Sequence, residues 1–175
     1  MRNLFPILML ITNLALNNDS SSNNNNNNSF IHATCRKTPY YSLCVTTLQS
    51  DPRSNEADIT TLSLVMVDAV KSKSIEIMKK LKELEISNPE WRGPLSQCYV
   101  AYNAVPRADV KVAVEALKKG VPKFAEDGMN DVVVEAQTCE FSFKNDNILV
   151  FPISDMSQEI IELSKVAKSI IRMLL

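Results

Sequence analysis

The sequence predicts an all-α protein, an antiparallel up-down-up-down four-helix bundle preceded by a helical hairpin. Apolar residues recur at helical spacing through most of the chain, strand-like alternation is almost absent, and the connections between helical segments are short. The chain has 175 residues, 45% hydrophobic and 22% charged. This length and composition predict one domain built around one hydrophobic core.

The first thirty residues are expected to lie outside that domain. Residues 4–16 hold ten apolar side chains out of thirteen, which is typical of a signal peptide and too short to cross a bilayer. We expect a signal peptide over residues 1–22, without a defined cleavage bond, and an Asn/Ser-rich flexible leader over residues 17–29. The folded domain is expected over residues 30–175, and Asn27 begins a candidate glycosylation sequon. The protein is therefore predicted to be secreted.

Two disulfides are predicted, because a secreted chain with an even number of cysteines tends to pair them. Three pairings are open from the sequence. The least entangled joins Cys35 to Cys44 and Cys98 to Cys139. In the chain-entropy model these loops would contribute about 3 and about 4 kcal/mol. Pro39 lies inside the smaller loop and predicts two short helical pieces, which must dock on the bundle or on a partner because they have too little core of their own.

The first two bundle helices follow from apolar spacing and proline positions. The first is predicted between Ser54 and Ser87, with a core stripe formed by Val67, Val70, Ser74, Ile77, Leu81 and Leu84. The second is predicted from Pro94 to Lys119, with a kink or break at Pro106. Its expected buried face consists of Leu95, Cys98, Tyr102, Val105, Val112 and Leu117.

The last two helices complete the bundle. The third is predicted from Pro122 to Phe143, since proline suits the first helical turn. The fourth is predicted to begin near Ser154 or Asp155, one of which would act as the N-cap. Its core stripe is expected to contain Ile160, Leu163, Ala167, Ile170 and Leu174.

Composition and motifs argue against an enzyme. Only three glycines occur, and no phosphate-binding, dinucleotide-binding or nucleophile-elbow motif is present. The formal net charge of −1 gives no global attraction to nucleic acid or to a membrane. His32 is the single histidine and is expected to be a solvated surface residue. The carboxylates are expected on the solvent face of a charged helix: Glu56, Asp58, Glu76 and Glu83. No metal or cofactor motif is found, so neither a metal nor a cofactor is predicted.

The turn between the second and third bundle helices is the most informative segment for function. Gly120 is a candidate C′ residue and Pro122 starts the next helix, so Lys123 and Phe124 are expected at one end of the bundle. A rigid turn that carries a cation beside an aromatic ring suits a polar, anionic pocket. The alternative is that Lys123 is only solvated while Phe124 packs onto the bundle end. Both interpretations are open from the residues alone.

Several segments of the predicted mature chain carry a family resemblance: Thr34-Cys35, Tyr41 to Cys44, Leu48 to Arg53, Met66 to Ala69, Cys98 with Tyr102, Ala136 to Phe143 and Leu163 to Ile171. With these segments the whole predicted mature chain resembles the plant invertase and pectin methylesterase inhibitor family. The resemblance implies a four-helix bundle with an N-terminal helical hairpin. It also implies that the first cysteine pairs with the second and the third with the fourth.

The resemblance also implies a function. The tripeptide Pro122, Lys123 and Phe124 is similar to a feature of the invertase-inhibitor branch, in which this turn enters the sucrose site of an acid invertase. Lys123 would then oppose the carboxylates of a retaining glycosidase. Glu126 and Asp127 are expected at the rim of that contact. The expected protein is a monomer that forms a 1:1 complex in the cell wall (apoplast) or vacuole.

Two other hypotheses stay open at the level of the sequence. A pectin methylesterase inhibitor would use the side of the bundle instead of the turn. A secreted helical carrier or structural module would have no target enzyme, and Lys123 would then have no function.

Overall fold

The computed structural model describes residues 20–55, 57–148 and 150–175, and in these segments the chain is helical without a strand. A hairpin of α1 (Ser20–Cys35) and α2 (Tyr41–Ser50) precedes the bundle. The bundle consists of α3 (Ile59–Ser87), the consecutive helices α4 (Arg92–Ala104) and α5 (Val110–Lys118), α6 (Pro122–Asn145) and α7 (Ser154–Ile171). The fold class predicted from the sequence is confirmed.

The hairpin turns where Pro39 was expected to interrupt it. Tyr40, at the start of α2, takes a left-handed conformation with φ of 56°, and a disulfide joins Cys35 to Cys44 across the turn. Ile31 and Leu48 are buried, and α2 packs against α3 and α7. The hairpin therefore shares the hydrophobic core of the bundle, as its small size requires.

Helix α1 begins at Ser20, inside the segment for which a flexible leader was expected. Asparagine and serine are weak helix formers. The C-terminal part of α1 is nevertheless fixed by Ile31 and the Cys35 disulfide, and helix propagation from a formed nucleus adds one hydrogen bond per residue. The expected signal peptide extends over residues that lie almost entirely outside the described part of the chain.

Helix α3 begins later than the apolar pattern predicted, at Ile59. The Asp58 carboxylate accepts a hydrogen bond from the backbone N–H of Thr61 at 2.7 Å and caps the helix, which fixes this start. The predicted core stripe is buried except for Leu84, which is half-buried. Asn88 follows the last turn, and Pro89 ends the helix as predicted.

The second bundle helix contains a local irregularity at Pro106. Val105–Asp109 forms a π-helical turn in which the N–H of Val110 bonds to the carbonyl of Val105. The prediction that Val112 is buried is wrong: this side chain is 48% exposed, and Ala113 is buried in its place. A π turn inserts one residue and rotates everything after it by about 100° relative to an uninterrupted α-helix. The core face of α5 is therefore shifted by one residue.

Helix α6 begins at Pro122 as predicted, and α7 follows its predicted stripe closely. Ser154 is the first residue of α7 instead of its N-cap, and Ile153 occupies the capping position without a side-chain hydrogen bond. A buried residue such as Ile153 anchors the helix start by packing, so a polar cap is not needed there. Of the predicted α7 stripe, Leu174 is only half-buried because it lies in the 3₁₀ turn that follows the helix.

The bundle has a simple arrangement. Helices α3 and α6 lie diagonally opposite each other, and each contacts both the α4/α5 pair and α7. A second disulfide joins Cys98 on α4 to Cys139 on α6, which confirms the predicted pairing. The Tyr102 hydroxyl donates a hydrogen bond of 3.0 Å to Ser157, so the α4/α5 pair is also tied to the diagonal α7. This frame fixes the position of the turn between α5 and α6.

Candidate functional site at the turn before α6

The turn between α5 and α6 is held by a helix-terminating hydrogen-bond motif. Gly120 has a φ of 69°, and its N–H bonds to the carbonyl of Leu117 at 3.2 Å. The N–H of Val121 bonds to the carbonyl of Ala116 at 2.9 Å. These bonds form a Schellman motif with glycine at its left-handed position, as the sequence predicted for Gly120. The turn is therefore defined by backbone bonds and not by side-chain packing.

Two side chains project from this turn into solvent. The Lys123 side chain is 62% exposed and Phe124 is 60% exposed, while Pro122 is half-buried in the first turn of α6. Phe124 therefore does not pack onto the end of the bundle, which was the alternative interpretation. A protruding cation beside a protruding aromatic ring does not enclose a substrate.

A network of ion pairs holds the Lys123 ammonium. Its Nζ donates hydrogen bonds to Glu126 Oε2 at 3.0 Å and to Asp127 Oδ1 at 2.8 Å. Residues three and four positions apart lie on the same side of a helix, so α6 itself provides both acceptors. The other oxygen of Glu126, Oε1, accepts a hydrogen bond of 2.6 Å from Nε of Arg172, which lies just after α7.

The two carboxylates of the network differ in how deeply they are buried. Glu126 is 3% exposed, whereas the Asp127 side chain is 49% exposed. Hydrogen bonding to Lys123 and Arg172 lowers the pKa of Glu126 despite burial, which acts in the opposite direction. Hydrogen bonds from Asp127 and Glu126 raise the pKa of Lys123. The network therefore favours the ionised forms of both Glu126 and Lys123.

The structure thus changes part of the site predicted from the sequence. Pro122, Lys123, Phe124 and Asp127 are brought together at the surface, but Glu126 is buried and is not placed to contact a rim. The sequence analysis missed Arg172. No sequence signal marks it, because 46 residues separate it from Glu126 and only the packing of α7 against α6 brings them together.

The single histidine and the possibility of a metal site can be checked in the described residues. His32 Nδ1 lies 2.7 Å from the hydroxyl of Tyr41, within the hairpin and away from any carboxylate pair. No group of three or more His, Cys, Asp or Glu side chains in the described segments could hold a metal ion. Within the same segments, no helix is long and apolar enough to span a membrane.

Comparison with known protein families shows which family the chain belongs to. The model of the plant invertase/pectin methylesterase inhibitor family matches residues 29–171. The chain belongs to this family. The family resemblance seen in the sequence is thereby confirmed, and the match covers both disulfides and the exposed turn, although Arg172 lies one residue beyond its end.

Individual members of the inhibitor family share much of the chain. It is 36% identical over 142 residues to cell wall / vacuolar inhibitor of fructosidase 1 of Arabidopsis thaliana, a match that covers 81% of this chain and 67% of that protein. It is 23% identical over 152 residues to a protein of Platanus acerifolia named as an invertase inhibitor, covering 82% of this chain and 84% of that one.

A solved structure supports the inhibitor fold. The crystal structure of a mutant form of a pectin methylesterase inhibitor from Arabidopsis superimposes with a TM-score of 0.66 and 21% sequence identity. The superposition covers 81% of this chain and 94% of that chain. At this identity the likeness establishes the shared helical architecture of the family and does not identify the target enzyme.

Proposed function

We propose that the protein inhibits an acid invertase by placing the turn of Pro122, Lys123 and Phe124 in the sucrose site. One observation carries the proposal: Lys123 and Phe124 protrude together from a turn fixed by Gly120 and Pro122. Support also comes from the 36% identity to a named inhibitor of fructosidase. The chain also belongs to the plant invertase/pectin methylesterase inhibitor family.

The chemistry of the target explains the residue types. A retaining glycosidase holds two carboxyl groups about 5 Å apart, one as nucleophile and one as acid/base. The Lys123 ammonium would oppose these groups, and the Phe124 ring would fill space that a sugar ring occupies. Because Pro122 and the Schellman motif fix the turn before binding, little conformational entropy is lost when the complex forms.

The proposed partner and location follow the relatives. We expect a monomeric inhibitor that forms a 1:1 complex with an invertase of the cell wall or vacuole after secretion. Asp127 is half-exposed beside Lys123 and would lie near the rim of the enzyme pocket. Glu126 would act from inside the inhibitor by holding Lys123 in place.

The test is an inhibition assay with Lys123→Glu. A carboxylate in place of the ammonium would repel those of the enzyme, so the inhibition constant should rise at least about thirtyfold. Lys165→Glu is a matched control, because Lys165 is an exposed lysine on α7 and the charge change is the same. Both variants should keep the helical circular-dichroism spectrum of the wild type. If Lys123→Glu still inhibits invertase at the wild-type concentration, the assignment of the turn is wrong.

The same proteins should be assayed against a pectin methylesterase. The proposal predicts inhibition of invertase and none of the esterase. Inhibition of the esterase alone, unaffected by Lys123→Glu, would instead indicate binding through the side of the bundle.

A further inference from the structure

A basic groove lies on the side of the bundle, and none of the residues of the protruding turn lines it. It has a volume of about 550 Å³ and runs between α3 and the segment from Pro106 to Lys118. The floor is formed by Pro106, Val110 and Val114. Four basic side chains line it: Lys71 from α3, and Arg107, Lys111 and Lys118 from the opposite wall.

The charges of this basic groove are not neutralised from within. All four basic residues are exposed, and none forms an ion pair within the segments that the structure describes. The two acidic residues in the lining are already engaged elsewhere, since Asp68 pairs with Arg53 at 2.7 Å and Glu115 with Lys119 at 3.7 Å. A protein with a formal net charge of −1 therefore concentrates unpaired positive charge in one place.

Three of the four basic side chains form a row along one wall of the basic groove. Arg107, Lys111 and Lys118 lie with Val114 at steps of four, three and four residues, which places them along one side of the helix. At 1.5 Å per residue the row extends over roughly 16 Å. Lys71 faces this row from α3. A row of separated cations matches a ligand with repeated negative charges better than it matches one small anion.

The lining also indicates what the ligand is not. None of the lining residues is aromatic. Protein interfaces concentrate binding energy in buried tryptophan, tyrosine and arginine residues, and single-stranded nucleic acids stack on aromatic rings. The basic groove has no aromatic ring, and its one arginine, Arg107, is exposed instead of buried. Charge over a shallow aliphatic floor remains as the basis of recognition.

We propose that the basic groove binds a linear, carboxylate-bearing polysaccharide through its repeated negative charges. The inference is independent of the proposed inhibition, because the groove does not include Lys123 or Phe124. Binding that rests on exposed charges is screened by salt. The affinity is therefore expected to fall steeply as the ionic strength rises and to depend on the charge of the polymer more than on its sugar type.

The test uses the full secreted protein and two polymers with the same sugar backbone. Polygalacturonate carries a carboxylate on each unit, and its fully methyl-esterified form carries none. Binding is measured by isothermal titration at low salt and again at 0.3 M salt. The wild type should bind the charged polymer only, with at least tenfold weaker binding at high salt.

Matched variants locate the site. Lys71→Glu combined with Lys111→Glu should weaken binding of polygalacturonate at least tenfold. Lys37→Glu combined with Lys165→Glu makes the same change in net charge at exposed positions outside the groove and should change binding less than threefold. The milder pair Lys71→Gln and Lys111→Gln repeats the test if the charge reversal impairs folding, and it should also weaken binding.

Three results would overturn the proposal. Equal loss in both double variants would show a general charge effect. Equal binding of the esterified polymer would show that charge is not recognised. Weaker inhibition of invertase by the Lys71 and Lys111 variants without any polymer would assign the groove to the enzyme interface, whereas failure of the inhibition proposal itself would appear only with Lys123→Glu.

Discussion

Glu126 on α6 accepts a hydrogen bond of 2.6 Å from Nε of Arg172, so a buried carboxylate under the exposed turn is held from the end of α7. The same carboxylate receives the Lys123 ammonium through its other oxygen. The proposed binding residue is thus positioned by a chain of two ion pairs that crosses from the last helix to the third bundle helix. Pairs that involve a buried, hydrogen-bonded charge hold geometry better than surface pairs do.

The first prediction concerns Arg172 as a positioning residue. Arg172→Gln removes one of the two cations that hold Glu126, so Lys123 becomes less well fixed and the inhibition constant should rise about three- to tenfold. Arg172→Lys keeps the positive charge and should restore most of the loss. The measurement is a titration of invertase activity with each variant, with thermal unfolding measured in parallel. A lower melting temperature for Arg172→Gln with an unchanged inhibition constant would show that Arg172 serves stability alone.

The second prediction concerns the contact between α6 and the π-helical turn. A Cβ added at Gly128 would lie 2.7 Å from the backbone oxygen of Asp109. Alanine normally favours a helix over glycine by about 1 kcal/mol, but this clash with backbone should outweigh it, and Gly128→Ala should destabilise the fold by about 1–3 kcal/mol. The midpoint of denaturant unfolding checks this.

Gly93→Ala is the matched control for that prediction. Its added Cβ would lie 3.3 Å from Oδ2 of Asp146, a side-chain atom that can move aside. We expect this variant to be as stable as the wild type or slightly more stable, because the gain in helix propensity is retained. Equal stability of Gly128→Ala and the wild type would show that α6 can move away from the π turn without cost.

The third prediction concerns Asp109, which is 8% exposed and has no hydrogen-bond partner for Oδ2 in the described segments. Burial, with smaller contributions from Asp131 and Glu135, raises its pKa from 3.8 to about 6. A raised carboxyl pKa means that the folded state binds the proton more tightly than the unfolded state. As the pH rises from about 4 to about 6, the titration of Asp109 should therefore lower the free energy of unfolding, by about 3 kcal/mol in total.

Asp109→Asn removes the titrating carboxyl group, so comparing its free energy of unfolding with that of the wild type measures the effect of this group. The variant should be more stable than the wild type at pH 7, and the difference should shrink as the pH falls to 4. Comparing the two proteins at each pH cancels the opposite effects of Glu126, Asp51 and Asp58, whose pKa values are lowered. A stability difference that stays constant from pH 4 to pH 8 would contradict the assignment.

Local signals in the sequence were sufficient to locate the bundle helices, although not every helix end. Apolar spacing located α3, α6 and α7, while Gly120 and Pro122 predicted the turn that the structure forms. Such signals act between residues close in the chain, where helix geometry and backbone conformation relate sequence directly to structure. These local signals did not predict which face of α5 is buried. The π turn that places Ala113 instead of Val112 in the core involves packing against Gly128, which is distant in the sequence.

The sequence by itself determined the helical architecture, the prediction of two disulfides and the presence of a lysine beside an aromatic residue in a rigid turn. Only the tertiary structure decided that Phe124 protrudes, that Glu126 is buried and that Arg172 holds it. The physical reason is that exposure and ion pairing depend on which helices meet at the end of the bundle. The pairing of Arg172 with Glu126 arises from the contact of α7 with α6, which has no signature in the residues near either side chain.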